Sequence, residues 1–250
     1  MKNISTNTKK DISIQIQEGL SDKANNYNKE LYRLIKPYCG KKILEVGCSI
    51  GNITRLLLNK NTHVTGIDVV PQAIRIIKKN FSRENDKNWK NFDAHVMDAS
   101  DSAILRLAKG RDGEFDTVVC MNVLEHIQKD QKALDNFYEL LMTGGKLVLI
   151  VPAHQFLYGS VDKSDHHFRR YTKSSLRPKI SKSGFRMIKM HYINLPGMLG
   201  WYVNGKILKK KMVDSSMLGF YDSMIPFVFR MERAVHPPIG LSILCICEKD

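Results

Sequence analysis

Ile43-Leu44-Glu45-Val46-Gly47-Cys48-Ser49-Ile50-Gly51-Asn52 reads as an apolar strand that runs into a turn of small residues, after which the amphipathic run 53–58 opens a helix. A second apolar strand, 64–67, ends on Asp68, seventeen residues after Gly51. Small residues let the backbone come close to a ligand, and a helix N-terminus offers N–H donors that have no partner within the helix. A carboxylate at the end of the next strand can accept hydrogen bonds from both hydroxyls of a ribose. Together these features describe an α/β unit that binds a nucleoside.

A dinucleotide fingerprint would read G-x-G-x-x-G, with its glycines facing a pyrophosphate. Here the spacing is E-x-G-x-S-x-G, with Glu45 ahead of the turn. An acid at that point repels a phosphate and suits a cationic ligand, such as the amino-acid end of S-adenosylmethionine. On these residues the chain resembles the class I S-adenosylmethionine-dependent methyltransferases, whose first motif reads Asp/Glu-x-G-x-G-x-G. The resemblance continues through Val64-Thr65-Gly66-Ile67-Asp68-Val69, Val96-Met97-Asp98-Ala99 and Phe115-Asp116-Thr117-Val118-Val119-Cys120-Met121-Asn122-Val123-Leu124-Glu125-His126. It ends with Leu141-Met142-Thr143-Gly144-Gly145-Lys146-Leu147-Val148-Leu149-Ile150-Val151-Pro152, so the ordered motifs cover 27–152. The family's middle glycine is Ser49 here, read as a tolerated variant that weakens cofactor affinity, because a position needing φ > 0 disfavours serine.

The resemblance implies a Rossmann-like, doubly wound sheet of seven strands in the order 3-2-1-4-5-7-6, the last strand antiparallel. From the residues themselves, strands are predicted near 42–46, 63–68, 93–97, 117–121, 146–151, 185–193 and 242–248, with helices near 27–37, 52–60, 71–85, 102–109, 131–142 and 173–183. Gly184 is expected to end the last of these helices. A polar tail, 1–26, precedes a single domain, 27–250, which carries a substrate loop at 153–172 and a lid insertion at 194–240 between strands 6 and 7. Long insertions in a compact domain commonly serve as lids.

In an open parallel sheet the ligand binds beyond the carboxyl ends of the strands. By resemblance, Glu45, Gly47, Cys48 and Gly51 line the methionine moiety and Asp68 holds the ribose, with Val69 against the adenine. Asp98 and the N–H of Ala99 address the adenine edge, although Asp98 could equally cap a helix. Met121 and Asn122 close the site, and Tyr27 is a candidate for the cofactor carboxylate. Candidates for the acceptor side crowd the loop 153–172. His154, His167 and Tyr171 are the candidate catalytic residues, with histidine suited to proton transfer near neutral pH. Tyr158, Arg169 and Arg170 are candidate substrate-binding residues, since arginine grips a carboxylate or phosphate with paired hydrogen bonds. His126, which could face the site or cap its turn, and Trp201 and Tyr202 of the insertion complete the set. A similar stretch, A-H-x-x-L-Y-G-S-x-D followed by H-x-R-R-Y, occurs in a bacterial subgroup of the family, and the chain resembles the ubiquinone-biosynthesis type of O-methyltransferase.

With 250 residues and 43% hydrophobic content, the chain can bury a full core. No apolar stretch approaches the roughly 20 residues that cross a bilayer. The polar N-terminus lacks the apolar segment of a secretion signal, and the five cysteines form no C-x-x-C pair, so a reducing cytoplasm is expected. No helical ligand spacing supports a metal around Asp162, Asp165, His166 and His167, and none is expected. The net charge of +14 raises the alternative of a nucleic-acid methyltransferase, but no Asn-Pro-Pro-aromatic motif follows the fourth strand, where Cys120-Met121-Asn122-Val123 stands. Lys206, Lys209, Lys210 and Lys211, set among aromatic residues of the insertion, suggest instead contact with the inner face of an anionic membrane. The reading is therefore methyl transfer from S-adenosylmethionine, leaving S-adenosylhomocysteine, to a hydroxyl or carboxylate oxygen of an amphipathic small molecule. The alternatives are N- or C-methylation of a small molecule, methylation of RNA, and a cofactor-binding scaffold without turnover. The oligomeric state is not legible.

Overall fold

The computed structural model describes residues 25–83, 87–108, 112–210, 215–235 and 237–250. Lys211 and nearly all of the tail expected over 1–26 lie outside the described residues. The strands are β1 (Lys42–Val46), β2 (His63–Asp68), β3 (Phe92–Val96), β4 (Phe115–Met121), β5 (Leu141–Pro152), β6 (Arg186–Ile193) and β7 (Ser242–Glu248). They form one sheet in the order β3-β2-β1-β4-β5-β7-β6. The first five strands run parallel, and β7 lies antiparallel between β5 and β6.

Burial on both faces of the sheet explains the near-continuous apolar runs of its central strands. Leu44, Val46, Val118, Leu147, Leu149, Cys245 and Cys247 face one layer, packed with Leu134 and Phe137 of α4 (Asp130–Leu140) and Leu176 and Ile180 of α6 (Lys173–Lys182). Ile43, Val64, Val119, Val148 and Ile246 face the other. There they meet Leu31 of α1 (Asn25–Ile35), Ile77 of α3 (Pro71–Arg83) and Ile225 and Phe229 of α8 (Ser215–Val235).

Several boundaries differ from expectation. The helix expected over 52–60 is reduced to α2 (Thr54–Leu57), because Leu58 turns extended and the Thr62 hydroxyl donates to the Leu57 carbonyl at 2.9 Å. The segment expected as a helix over 102–109 is a 3₁₀ turn, Ser102–Leu107, capped by Asp101, whose side chain accepts from the Ala103 N–H. The fifth strand begins at Leu141 rather than 146, since Leu141 pairs with Phe115 ahead of a shift in register. Gly184, in the left-handed region at φ 92°, follows α6 as expected.

The insertion folds on the carboxyl side of the sheet. Asn194 (φ 65°) turns the chain and caps α7 (Leu195–Tyr202), which runs into a wide π turn at Val203–Ile207. α8 then crosses to α1, with Phe229 edge-on to Tyr27 at 6.1 Å between ring centroids. Two carboxylates of α8 fix its neighbours. Asp222 accepts from the N–H groups of Asn26 and Tyr27 at 3.1 and 2.8 Å, and Glu232 from those of Leu195 and Asn194 at 2.6 and 2.7 Å. Such carboxylates satisfy helix N-terminal donors and complement the helix dipole.

Candidate active site

The turn after β1 is tied to the end of β2. Gly47 and Cys48 donate their N–H groups to the Ile67 carbonyl at 2.8 and 3.1 Å, and Ser49 donates to Asp68 Oδ2 at 3.0 Å. Asp68 Oδ1 accepts from Val70 at 2.9 Å, so the carboxylate is held in one orientation at the strand's end, beside the half-exposed Val69. Gly47 has φ 74°, and a Cβ there would stand 2.3 Å from Val123 Cγ2, so no other residue fits. Ser49 adopts φ 47°, the left-handed conformation that its place in the motif demands.

Glu45 lies behind this turn, buried, with Thr54 Oγ1 donating at 2.6 Å. Burial pushes its carboxyl up to about 8, against the Thr54 hydrogen bond and with help from the Asp68 charge. A buried acid in that state gains from a cationic neighbour, as the ammonium of a bound amino acid would be. The acid, the Gly47 cradle and the oriented Asp68 carboxylate fit the methionine and ribose portions of S-adenosylmethionine. Asp98 follows β3 in a local turn, its Oδ1 accepting from the N–H and hydroxyl of Ser100, both at 2.8 Å. The cap role open to it falls to Asp101 instead. Ala99 is buried, Met121 packs into the α1–α3–α8 layer, and Asn122 takes φ 52° with its N–H on the Ile150 carbonyl at 2.8 Å.

A cavity of about 360 Å³ adjoins these residues, bounded by Tyr27 and Asn122 on the cofactor side and by Pro196, Gly197, Gly200 and Trp201 of α7 on the other. Its polar wall holds Glu125, His126, Asp165, His167 and Arg170. His167 Nδ1 lies 2.8 Å from Asp162 Oδ1 and its Nε2 3.2 Å from Asp165 Oδ2. Burial works against its charge, but the two carboxylates lift its pKa to about 9. The His126 ring stands edge-on to it at 4.6 Å, and burial, with the His167 charge, pushes His126 down to about 4. Glu125 is raised by burial to about 7, and its Oε2 has no hydrogen-bond partner. Glu125, His126 and His167 bring one carboxylate oxygen and two ring nitrogens within 4.8 Å of one another, although both nitrogens of His167 already face carboxylates.

Of the expected acceptor-side residues, the fold brings His126, His167, Arg170 and Trp201 to this cavity. Tyr158 stands behind it, its hydroxyl donating to the His167 carbonyl at 2.7 Å. His154, Tyr171, Arg169 and Tyr202 are turned elsewhere. His154 stacks on Tyr192 at 4.7 Å. The Tyr171 hydroxyl is buried on Asp130 Oδ2 at 2.9 Å, and burial and that carboxylate push its pKa far above the ordinary value. Arg169 clamps Asp130 at 2.9 Å and the carbonyls of Ile127 and Gln128, and Tyr202 points to solvent. Arg170 reaches the cavity, but its Nε is fixed on Asp162 Oδ1 at 2.6 Å, so it serves an internal carboxylate rather than an anionic substrate. The sequence reading gave no role to Glu125, Asn194 or Asp222, and it weighed Asp162 and Asp165 only as metal ligands. Glu125 and Asp162 were the two it could have found, since they stand in quoted motifs, Leu124-Glu125-His126 and G-S-x-D, whereas nothing local marks Asn194 or Asp222.

The family described as a methyltransferase domain matches residues 44–147. The ubiquinone biosynthesis O-methyltransferase of Idiomarina loihiensis is 25% identical over 187 residues, 70% of this chain and 72% of that protein. The corresponding Psychrobacter arcticus enzyme is 25% identical over 61% of this chain and 63% of its own length, a little under two thirds. A SAM-dependent methyltransferase structure from Archaeoglobus fulgidus superimposes with a TM-score of 0.59 at 18% identity, covering 90% of this chain and 94% of that one. The methyltransferase-domain match over 44–147, the sheet order, the ordered motifs and these likenesses together mark the chain as an S-adenosylmethionine-dependent methyltransferase, with S-adenosylmethionine as its methyl donor.

Proposed function

We propose that the chain methylates an oxygen, a hydroxyl or a carboxylate, on a small amphipathic acceptor seated in the cavity beneath α7. The observation that carries this reading is the cavity's two-sided character. Proton-handling groups (Glu125, His126, His167) stand on one wall, and Pro196, Gly197, Gly200 and the Trp201 ring form the other. Glu125, Asp165 and Asp222 line it, no lysine does among the described residues, and Arg170 is committed to Asp162. A hydroxyl suits such an acidic wall better than a carboxylate.

S-adenosylmethionine supplies, when bound, a methyl group on a sulfonium sulfur and leaves as a neutral thioether. The chain's part is to align the acceptor, to keep water out and to take the proton that a hydroxyl must lose. Glu125 can take it, being buried, poised near neutrality and without a partner on Oε2. His167, of the three residues expected to be catalytic, remains in place as a cation beside the reacting oxygen. The reading uses no metal.

The insertion supports the membrane-side expectation. Phe220, Met224, Phe227, Met231 and Val235 recur every three or four residues along α8, and all are exposed. Leu199, Tyr202, Val203, Ile207 and Leu208 are also exposed, beside Lys206, Lys209 and Lys210. No helix among the described residues is long and apolar enough to cross a membrane. An apolar stripe flanked by lysines supports a surface that lies on anionic lipid and receives a lipid-like acceptor there.

The test is incubation with labelled S-adenosylmethionine and matched panels of phenols, aliphatic alcohols, carboxylic acids, amines and RNA. Ether or ester products, separated by their lability to hydroxylamine, are expected. Transfer confined to nitrogen, carbon or RNA would overturn the proposal.

A further inference from the structure

Asp162, on the short helix α5 (Ser160–Ser164), is the most completely engaged side chain of the acceptor side and is fully buried. Its Oδ1 faces His167 Nδ1 at 2.8 Å and accepts from Arg170 Nε at 2.6 Å. Its Oδ2 accepts from the Gly159 N–H at 2.9 Å and from Trp201 Nε1 at 3.2 Å. Four donors meet the roughly four lone-pair positions of one carboxylate. Three of them, His167, Arg170 and Trp201, belong to residues that line the cavity, and Trp201 comes from the inserted α7. The Arg170 guanidinium also lies 4.8 Å over the Trp201 ring.

We propose that Asp162 is a positioning residue that couples seating of the inserted α7 to the setting of His167. An ionised carboxylate only accepts, so it fixes the proton of His167 on Nδ1 and turns Nε2 toward Asp165 and the cavity. The same carboxylate draws in the indole N–H, placing the Trp201 ring as the cavity's far wall. If α7 lifts, Oδ2 loses a donor in a buried place, and the hold on His167 and Arg170 loosens with it. Acceptor enclosure and orientation of the proton-handling wall are thus one event. The charged groups facing His167 are Asp162 and Asp165 from its own loop, Glu125 and His126 from the turn after β4, and Arg170. This inference rests on the cavity's being the acceptor site, but its first test does not.

The experiment is nitrogen-15 NMR of histidine- and tryptophan-labelled full-length protein without acceptor, comparing wild type, Asp162→Asn and Trp201→Phe. In wild type, His167 should carry its proton on Nδ1 through deprotonation of Nε2, and the Trp201 indole proton should exchange slowly. Asp162→Asn should release both together, whereas Trp201→Phe should keep the proton on Nδ1 but shift and broaden the His167 signals, as a loosened hold requires. Unchanged His167 signals in Trp201→Phe would refute the coupling. Unchanged His167 and Trp201 signals in Asp162→Asn overturn the proposal, whatever the reaction proves to be. On an acceptor found as above, Asp162→Asn should cut kcat by about 100-fold while sparing cofactor affinity. Trp201→Phe should act mainly on the KM of the acceptor. Should Asp162→Asn fail to fold, Trp201→Phe and His167→Gln combined in a cycle decide the matter. Non-additive effects on kcat/KM support coupling through the shared carboxylate, and additive ones refute it.

Discussion

At residue scale, the two halves of the site are separable. Asp68→Ala should weaken S-adenosylmethionine binding about 30-fold or more, the equivalent of roughly 2 kcal/mol for lost charge-assisted hydrogen bonds. Arg170→Ala should leave that affinity unchanged and weaken the acceptor, and titration calorimetry with and without acceptor checks both. Ser49, held at φ 47°, should be improved by glycine, with Ser49→Gly stabilising the fold by about 1 kcal/mol in thermal unfolding. His167 makes stability depend on pH. Its pKa rises from 6.5 to about 9 on folding, so its contribution is complete below pH 6.5 and is lost as pH climbs through about 9. Denaturant titrations across that window should lose on the order of 2 kcal/mol more in wild type than in His167→Gln, the loss that remains falling to Glu45 and Glu125, whose raised carboxyls act in the same direction. Most of the candidate cofactor residues sit at strand ends in ordered motifs, a placement that one sequence displays. The roles of Arg169, Arg170 and Tyr171 were not, because their partners Asp130 and Asp162 are a matter of three-dimensional contact that one sequence does not display.

At the scale of elements, the strands were legible and the short helices were not. β1, β2 and β7 match their expected limits, since burial on both faces writes itself into near-continuous apolar runs. α2 was overestimated, because the Thr62 hydroxyl that caps it comes from beyond the apolar pattern. The insertion was recognised by length alone. Its helices join the rest through the apolar face of α8 and through carboxylates that meet helix N-termini, and Glu232→Ala should lower stability by about 1–2 kcal/mol by leaving the first N–H groups of α7 unmet. Circular dichroism melts measure the loss, and weaker protection of 195–202 in hydrogen exchange would place it.

At the scale of the molecule, the charge of +14 is kept away from the cavity, whose lining carries three carboxylates and one arginine. That distribution supports lipid contact through the insertion over nucleic acid in the site. Vesicles of anionic lipid should retain the protein in flotation at low salt and release it as salt rises. Phe220→Ser with Phe227→Ser should reduce retention without changing cofactor affinity. If neutral and anionic vesicles retain it equally, the lysines take no part.

The place of β7 governs the timing of folding during synthesis. It fills the gap between β5 and β6, yet the ribosome delivers it after both. At roughly 5–20 residues per second, β5 waits about 5–20 seconds with one edge open after Pro152 emerges. An open edge of apolar strand is an invitation to pair with a neighbouring nascent chain. Until the closing strand arrives, this half of the sheet has no native contact to cover that edge.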